Sequence, residues 1–259
     1  MKVVRLKWQE KARWGVKHGS MITLWTDAPY ANGEPTEESI PWEGVELLAP
    51  CEPSKVVCVG RNYAAHAAEL GNDVPTIPLL FLKPPSSLIG PDENVVLPGI
   101  SERVDFEGEI ALVIGKTAKG VSPEDVWEYV YGVTCFDDVT ARDLQKADKT
   151  FTRGKGFDSF GPCGPWLETE FSPGEMHVET RVNGVIRQSA SVQQMIFPLD
   201  VVVAYISSIM TLEVGDLIVT GTPEGVGPLY PGDAVEIEVT GVGILKHGVQ
   251  GSMTGKEIL

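Results

Sequence analysis

The stretch "VDFEGEIALVIG", residues 104 to 115, narrows the possible folds more than any other part of the chain. From Ile110 to Ile114 every residue is apolar. A strand with two apolar faces has to be covered on both sides, which calls for a layered sheet. The preceding half alternates, with Asp105, Glu107 and Glu109 at every second position. Strand periodicity puts these three carboxylates on one face. Two readings fit. The acidic end can face water, where like charges in a row are tolerated. Alternatively the carboxylates sit beside the core and need a counter-charge. A divalent cation supplies one, and Glu-x-Glu on a strand offers hard oxygen ligands suited to Mg²⁺ or Mn²⁺.

The rest of the chain divides around this strand. Residues 1–50 read as a small β unit: "KVVRLKW" and "RWGVKHGSMITLW" alternate, with a turn at His18-Gly19-Ser20. A polar, proline-containing run follows. Residues 51–259 form the second unit. Within it "KVVCVG" reads as a buried strand, and "RNYAAHAAELG" as a short helix closed by Gly71. Leu79–Lys83 and "VTCFDD" read as further strands. "SPEDVWEYVYG" reads as a helix capped by Ser122, with Pro123 in its first position. Asn183-Gly184 marks a hairpin between "HVETRV" and "VIRQSAS". "PLDVVVAYISSIM" reads as an amphipathic helix, and "DAVEIEVTGVGILKHGV" as a terminal strand pair. The expected class is α+β, rich in β: a mixed-sheet roll rather than a doubly wound sheet.

Four other segments carry polar chemistry. "CFDDVTARD" ends a buried strand in two adjacent acids, Asp137 and Asp138. They point to opposite sides, so one of them is a candidate third ligand; a turn or helix cap is the alternative. Arg142 and Asp143 can form local ion pairs. His66 and Glu69, one helical turn apart, share a face. A carboxylate there raises imidazole basicity and favours water activation; a plain surface pair explains the spacing equally. "FTRGKGFDSF" places Lys155 between glycines, either solvated or brought to an anion. "TGTPEGVGP" offers Thr220, Thr222 and loose backbone N–H groups, a possible anion nest. It lacks the lysine and spacing of a nucleotide-binding P-loop.

Charge limits the partners. With 21 basic and 36 acidic side chains the formal net charge is −15, which argues against nucleic acid or an anionic membrane. An anionic substrate stays open, because a bound cation reverses the local field. The four cysteines, Cys51, Cys58, Cys135 and Cys163, form no C-x-x-C pair and read as buried thiols in a reducing compartment. The N-terminus lacks the apolar core of a signal peptide, and the longest apolar stretch is interrupted by Pro198 and Asp200. A cytoplasmic protein is expected.

Taken in order, "GRNYAAHAAELG", "LFLKPPSSLIGP", "VDFEGEIALVIG", "DDVTARDLQ", "KGFDSFGPCGP", "VNGVIRQ" and "VTGTPEGVGPL" resemble the fumarylacetoacetate hydrolase family over residues 50 to 250. The ordered set is specific where each fragment alone is not. The N-terminal unit resembles that of bacterial and archaeal members acting as 2-hydroxyhepta-2,4-diene-1,7-dioate isomerases or related decarboxylases. The resemblance implies that Glu107, Glu109 and Asp138 hold Mg²⁺ or Mn²⁺, and that Lys155 is the active-site lysine. It makes His66 and Glu69 a catalytic dyad on a lid segment, and puts Arg61, Tyr63, Gln145 and Thr222 in the substrate pocket. It leaves Asp105 without a role. It also implies a homodimeric β-roll acting on a small anionic 2-oxo acid through an enolate. Isomerisation, decarboxylation and acylpyruvate or fumarylpyruvate hydrolysis all branch from that enolate. A non-enzymatic module with a structural divalent cation is the contrasting possibility.

Overall fold

The computed structural model describes residues 1–69, 71 and 73–251. A strand-rich α+β architecture emerges, built on three sheets. The largest is twelve-stranded. Its outer strands are Pro35–Pro41, Met21–Trp25, Lys11–His18 and Lys2–Trp8, joined as an antiparallel meander. Lys2–Trp8 then pairs with Gly161–Glu168, so the N-terminal strands extend the same sheet. The order continues through Val130–Asp137, Gly108–Ile114, Leu217–Val219, Val56–Gly60 and Leu79–Lys83. Leu217–Val219 and Val56–Gly60 run parallel; the other neighbours along this inner path are antiparallel.

A five-stranded sheet covers one face of this inner region. It contains the expected hairpin, His177–Val182 and Val185–Ser191, and the expected terminal pair, Ala234–Val239 and Gly243–Gln250. Asn183 and Gly184 both have positive φ, 53° and 75°, as a tight two-residue turn between twisted strands requires.

The central strand follows from its parity. Ile110, Leu112 and Ile114 join a large core with Val178, Ile237 and Leu245 of the five-stranded sheet, and with Val202, Val203 and Ile206 of the helix Leu199–Ile209. Ala111 and Val113 point the other way, into a second core with Val3, Trp14, Val56 and Phe136. Each fully buried Val, Leu or Ile contributes about 1.5–3 kcal/mol, which is why the run is apolar at every position.

The acidic end departs from a single continuous strand. Val104–Phe106 belongs to a separate three-stranded sheet with Thr140–Ala141 and Gly227–Pro228. Gly108–Ile114 belongs to the large sheet. Glu107 lies where the chain changes partners. The segment Pro123–Glu128 is a 3₁₀ helix, and the Ser122 hydroxyl donates to Asp125 Oδ2 at 2.9 Å rather than capping the backbone. The six residues between the preceding loop and the strand at Val130 close with i→i+3 bonds, Asp125 N–H to Ser122 O and Tyr129 N–H to Val126 O. Among the described residues no helix is long and apolar enough to cross a membrane.

Candidate active site and metal centre

The ends of several strands and short helices meet at one cleft of about 370 Å³, the size of a small-molecule site. The strand Val56–Gly60 ends there and delivers Arg61; the helix Ala64–Glu69 brings His66. The partner change at residue 107 supplies Glu107 and Glu109, and the end of Val130–Asp137 supplies Asp138. Two short helices, Arg142–Ala147 and Thr152–Lys155, contribute Arg142, Gln145 and Lys155. Thr222 comes from the glycine-rich loop.

Glu107, Glu109 and Asp138 are buried, and each offers a carboxylate oxygen within 4.8 Å of the others. Lys155 Nζ donates to Glu107 Oε2 at 2.6 Å and also bonds Asp138 Oδ2. Arg142 Nη2 donates to Glu107 Oε1 at 2.5 Å. Lys83 Nζ lies 2.7 Å from Asp138 Oδ1, although that oxygen has no donor in hydrogen-bonding geometry; the contact is one of charge. Burial pushes the Glu107 carboxyl up, but Lys155 and Arg142 outweigh it and hold the group well below the ordinary range. Burial would likewise lower Lys155, yet Asp138 and Glu107 keep its ammonium above its usual value.

Glu109 is different. Its Oε2 accepts the Gly221 N–H, and no cationic side chain pairs with it among the described residues. Burial first, then Asp138 and Glu107, push its carboxyl well above the ordinary value. Asp105 is paired by Arg103 and Arg142, Glu107 by Arg142 and Lys155, and Asp138 by Lys155 and Lys83. The uncompensated charge falls on Glu109. Three clustered hard oxygen donors, one of them without a cationic partner, fit a divalent cation such as Mg²⁺ or Mn²⁺.

The backbone at the ligands is held by side chains. The Glu107 N–H donates to Asp137 Oδ1 at 2.7 Å, and Asp137 Oδ2 faces His247 Nε2 at 2.9 Å. The Gly108 N–H donates to Gln188 Oε1 at 3.0 Å. Gln188 Nε2 in turn donates to Thr222 Oγ1 and Pro223 O, and the Thr222 hydroxyl donates to Gly108 O. Where the chain leaves one sheet for another, these buried groups replace the missing ladder bonds.

The matches to known proteins agree with this geometry. Residues 55–250 match the family model described as fumarylacetoacetate (FAA) hydrolase, C-terminal. The chain belongs to the fumarylacetoacetate hydrolase family. Residues 1–50 match a second model, Rv2993c-like, N-terminal. Oxaloacetate tautomerase YisK of Bacillus subtilis is 39% identical over 249 residues, covering 90% of this chain and 82% of the relative. The crystal structure of 2-hydroxyhepta-2,4-diene-1,7-dioate isomerase from Mycobacterium marinum superposes with a TM-score of 0.90 at 38% identity, covering 98% of this chain and 100% of that one. Maleylpyruvate hydrolase from Sphingobium sp. SYK-6, solved with manganese(II) and pyruvate, gives a TM-score of 0.81 at 31% identity with the same coverage. Members of the fumarylacetoacetate hydrolase family thus include isomerases, tautomerases and hydrolases, and one of them holds manganese.

Of the residues expected from the family resemblance, Glu107, Glu109, Asp138, Lys155, His66, Arg61, Gln145 and Thr222 all line the cleft. Tyr63 and Glu69 do not. Tyr63 is buried behind it, bridged to Met195, with its hydroxyl unpartnered. Glu69 accepts the Gly225 N–H at 3.1 Å and stands 3.7 Å from His66 Nδ1, too far for a hydrogen bond. Burial lowers the His66 pKa, so the ring is a neutral base near pH 7. Thr222 lines the cleft, but its hydroxyl is engaged by Gly108 and Gln188.

Arg142, Lys83 and the Asp137–His247 pair were not singled out by the sequence as parts of the site. Arg142 does more than pair locally: its Nε donates to Asp105 Oδ2 at 2.9 Å and its Nη1 to Gln145 Oε1 at 2.9 Å. Asp105 thereby gains a role. It is fully buried and fixes the guanidinium that grips Glu107. The third carboxylate of the alternating row aims an arginine rather than a metal.

Proposed function

We propose that this protein is a divalent-cation-dependent enzyme that moves a proton on short 2-oxo or 2-hydroxy-enoic diacids, with isomerisation of 2-hydroxyhepta-2,4-diene-1,7-dioate as its leading reaction. One observation carries the reading. A buried Glu107–Glu109–Asp138 cluster, in which Glu109 has no cationic partner among the described residues, opens onto a substrate-sized cleft beside Lys155 and Arg142. A cation held by these three carboxylates, Mg²⁺ or Mn²⁺, would supply Lewis-acid polarisation of a carbonyl oxygen. Lys155, beside Glu107 and Asp138, lends positive charge to a developing enolate. Gln145 lines the cleft with its carbonyl tied to Arg142, which leaves its NH₂ group to donate to a substrate. His66 is the neutral base in the cleft.

The position of His66 also favours a second reading, hydrolysis of acylpyruvates. A closing movement of less than an ångström would join Glu69 to His66 Nδ1 and leave Nε2 to deprotonate water. The test is a panel assay of purified protein with Mg²⁺, using the dienedioate, oxaloacetate, acetylpyruvate and fumarylpyruvate. Isomerisation of the dienedioate, abolished by EDTA and strongly reduced in His66→Ala, is expected. Cleavage of the acylpyruvates alone, lost in His66→Ala, would replace isomerisation by hydrolysis. Turnover of none of the four would contradict both.

A further inference from the structure

The charged groups of the cleft separate into two sets. The inner cations, Arg142 and Lys155, are spent on Glu107, Asp105 and Asp138. Asp148, which also lines the cleft, is held by Arg153 through bonds of 2.9 and 2.7 Å. Two further cations line the cleft, Arg61 and Lys146, and among the described residues neither has an ion-pair partner. Lys146 follows Gln145 on the short helix Arg142–Ala147.

Arg61 stands in an unusual backbone conformation, φ +58°. Side chains other than glycine, asparagine and aspartate seldom take that region. The neighbouring residue enforces it. Asn62 is fully buried; its Nδ2 donates to Thr220 O at 2.8 Å and to Phe197 O at 3.1 Å, and its Oδ1 accepts the Phe197 N–H at 2.8 Å. Its carbonyl accepts the Ile196 N–H at 2.8 Å. An arginine kept where glycine would be unstrained, and locked from the next residue, is strain retained at a functional position.

We infer that Arg61 and Lys146 form a second anion subsite that takes the distal carboxylate of a 2-oxo diacid and selects diacids over monoacids. The inference rests on the proposed function for the placement of the 2-oxo end near the acidic cluster. It adds what recognises the far end. A terminal carboxylate matches the planar fork of Arg61, with Lys146 as a point charge beside it.

Binding by calorimetry, with Mn²⁺ present, separates this from turnover. The probes are 2-oxoadipate and 2-oxohexanoate, six-carbon 2-oxo acids that differ in the second carboxylate. The intact protein should bind the diacid at least about tenfold tighter. Arg61→Gly suits the backbone and should melt no lower than the parent, yet reduce the affinity ratio to about threefold or less. Adding Lys146→Ala should bring it near one, and Arg61→Lys should restore part of it. Equal affinities in the parent, a preserved ratio in the double variant, or binding of neither acid would overturn the inference. Preserved selectivity with no turnover in the panel assay would instead sink the proton-transfer reading and leave the subsite standing.

Discussion

Buried carboxylates persist only where positive charge or donors face them, and removing one partner leaves the other stranded. Asp105 illustrates this, lying between Arg142 and Arg103 with no exposure. Asp105→Ala should destabilise the cation-free protein by about 3–5 kcal/mol in denaturant unfolding. A loss under 1 kcal/mol would mean that Arg142 is held without it. His66 yields a pH prediction. Burial lowers its folded pKa below the ordinary 6.5. The neutral base therefore survives below that pH, and any His66-dependent rate should hold its plateau through pH 6.5 and fall only further into acid. In the unfolded chain the ring takes its proton at the ordinary value, so stability from this group is present above pH 6.5 and declines below it. An acid limb at or above 6.5 would contradict the assignment. At this scale the spacing of Glu107 and Glu109 was legible, because an alternating strand declares its own face; the choice of Asp138 over Asp137 came from the family resemblance. The jobs of Asp105, Lys83 and His247 were not legible, since each depends on a partner brought close only by folding: Asp105 and Arg142 are separated by 37 residues, Asp137 and His247 by 110.

The break at Glu107 is the element that aims the site. The local pattern, Asp-x-Glu-x-Glu leading into apolar residues, reads as one strand because parity is kept: Phe106, Ile110 and Leu112 enter the same core. Only tertiary pairing shows that residues 104–106 and 108–114 belong to different sheets. Gly108 permits the change. A Cβ there would run into the Thr180 hydroxyl of the five-stranded sheet and sit 3.3 Å from Gln188 Oε1. Gly108→Ala should therefore cost about 1–3 kcal/mol through overpacking and weaken Mn²⁺ binding in a calorimetric titration. Thr180 Oγ1 is itself buried and unpartnered, so adding Thr180→Ala should recover part of both losses. Strict additivity of the two substitutions would show that the close approach is not what Gly108 serves. Ser122 does take the N-cap position and Pro123 the first one, but the six-residue segment closes as 3₁₀ turns and the Ser122 hydroxyl bonds Asp125 instead of the backbone.

In the molecule as a whole, the stacked sheets convert hydrophobic alternation into a rigid frame, and the cleft lies where strands end and sheets exchange partners. The β-rich class, the hairpin at Asn183-Gly184 and the terminal strand pair were readable from period and turn chemistry. The joining of the N-terminal strands to the central sheet through Val3 and Leu167 was not, because a strand's pattern does not name its neighbour. The same frame would let a chain of net charge −15 take the proposed anionic substrate: Lys155 and Arg142 are buried at the cleft, and a divalent cation would complete the balance. Oxalate, a mimic of a 2-oxo acid enolate, tests that balance most directly by isothermal titration. It should bind in the presence of Mg²⁺, and lose binding both in EDTA and in the Glu109→Gln variant. Oxalate affinity unchanged by chelation or by Glu109→Gln would contradict a metal-centred site.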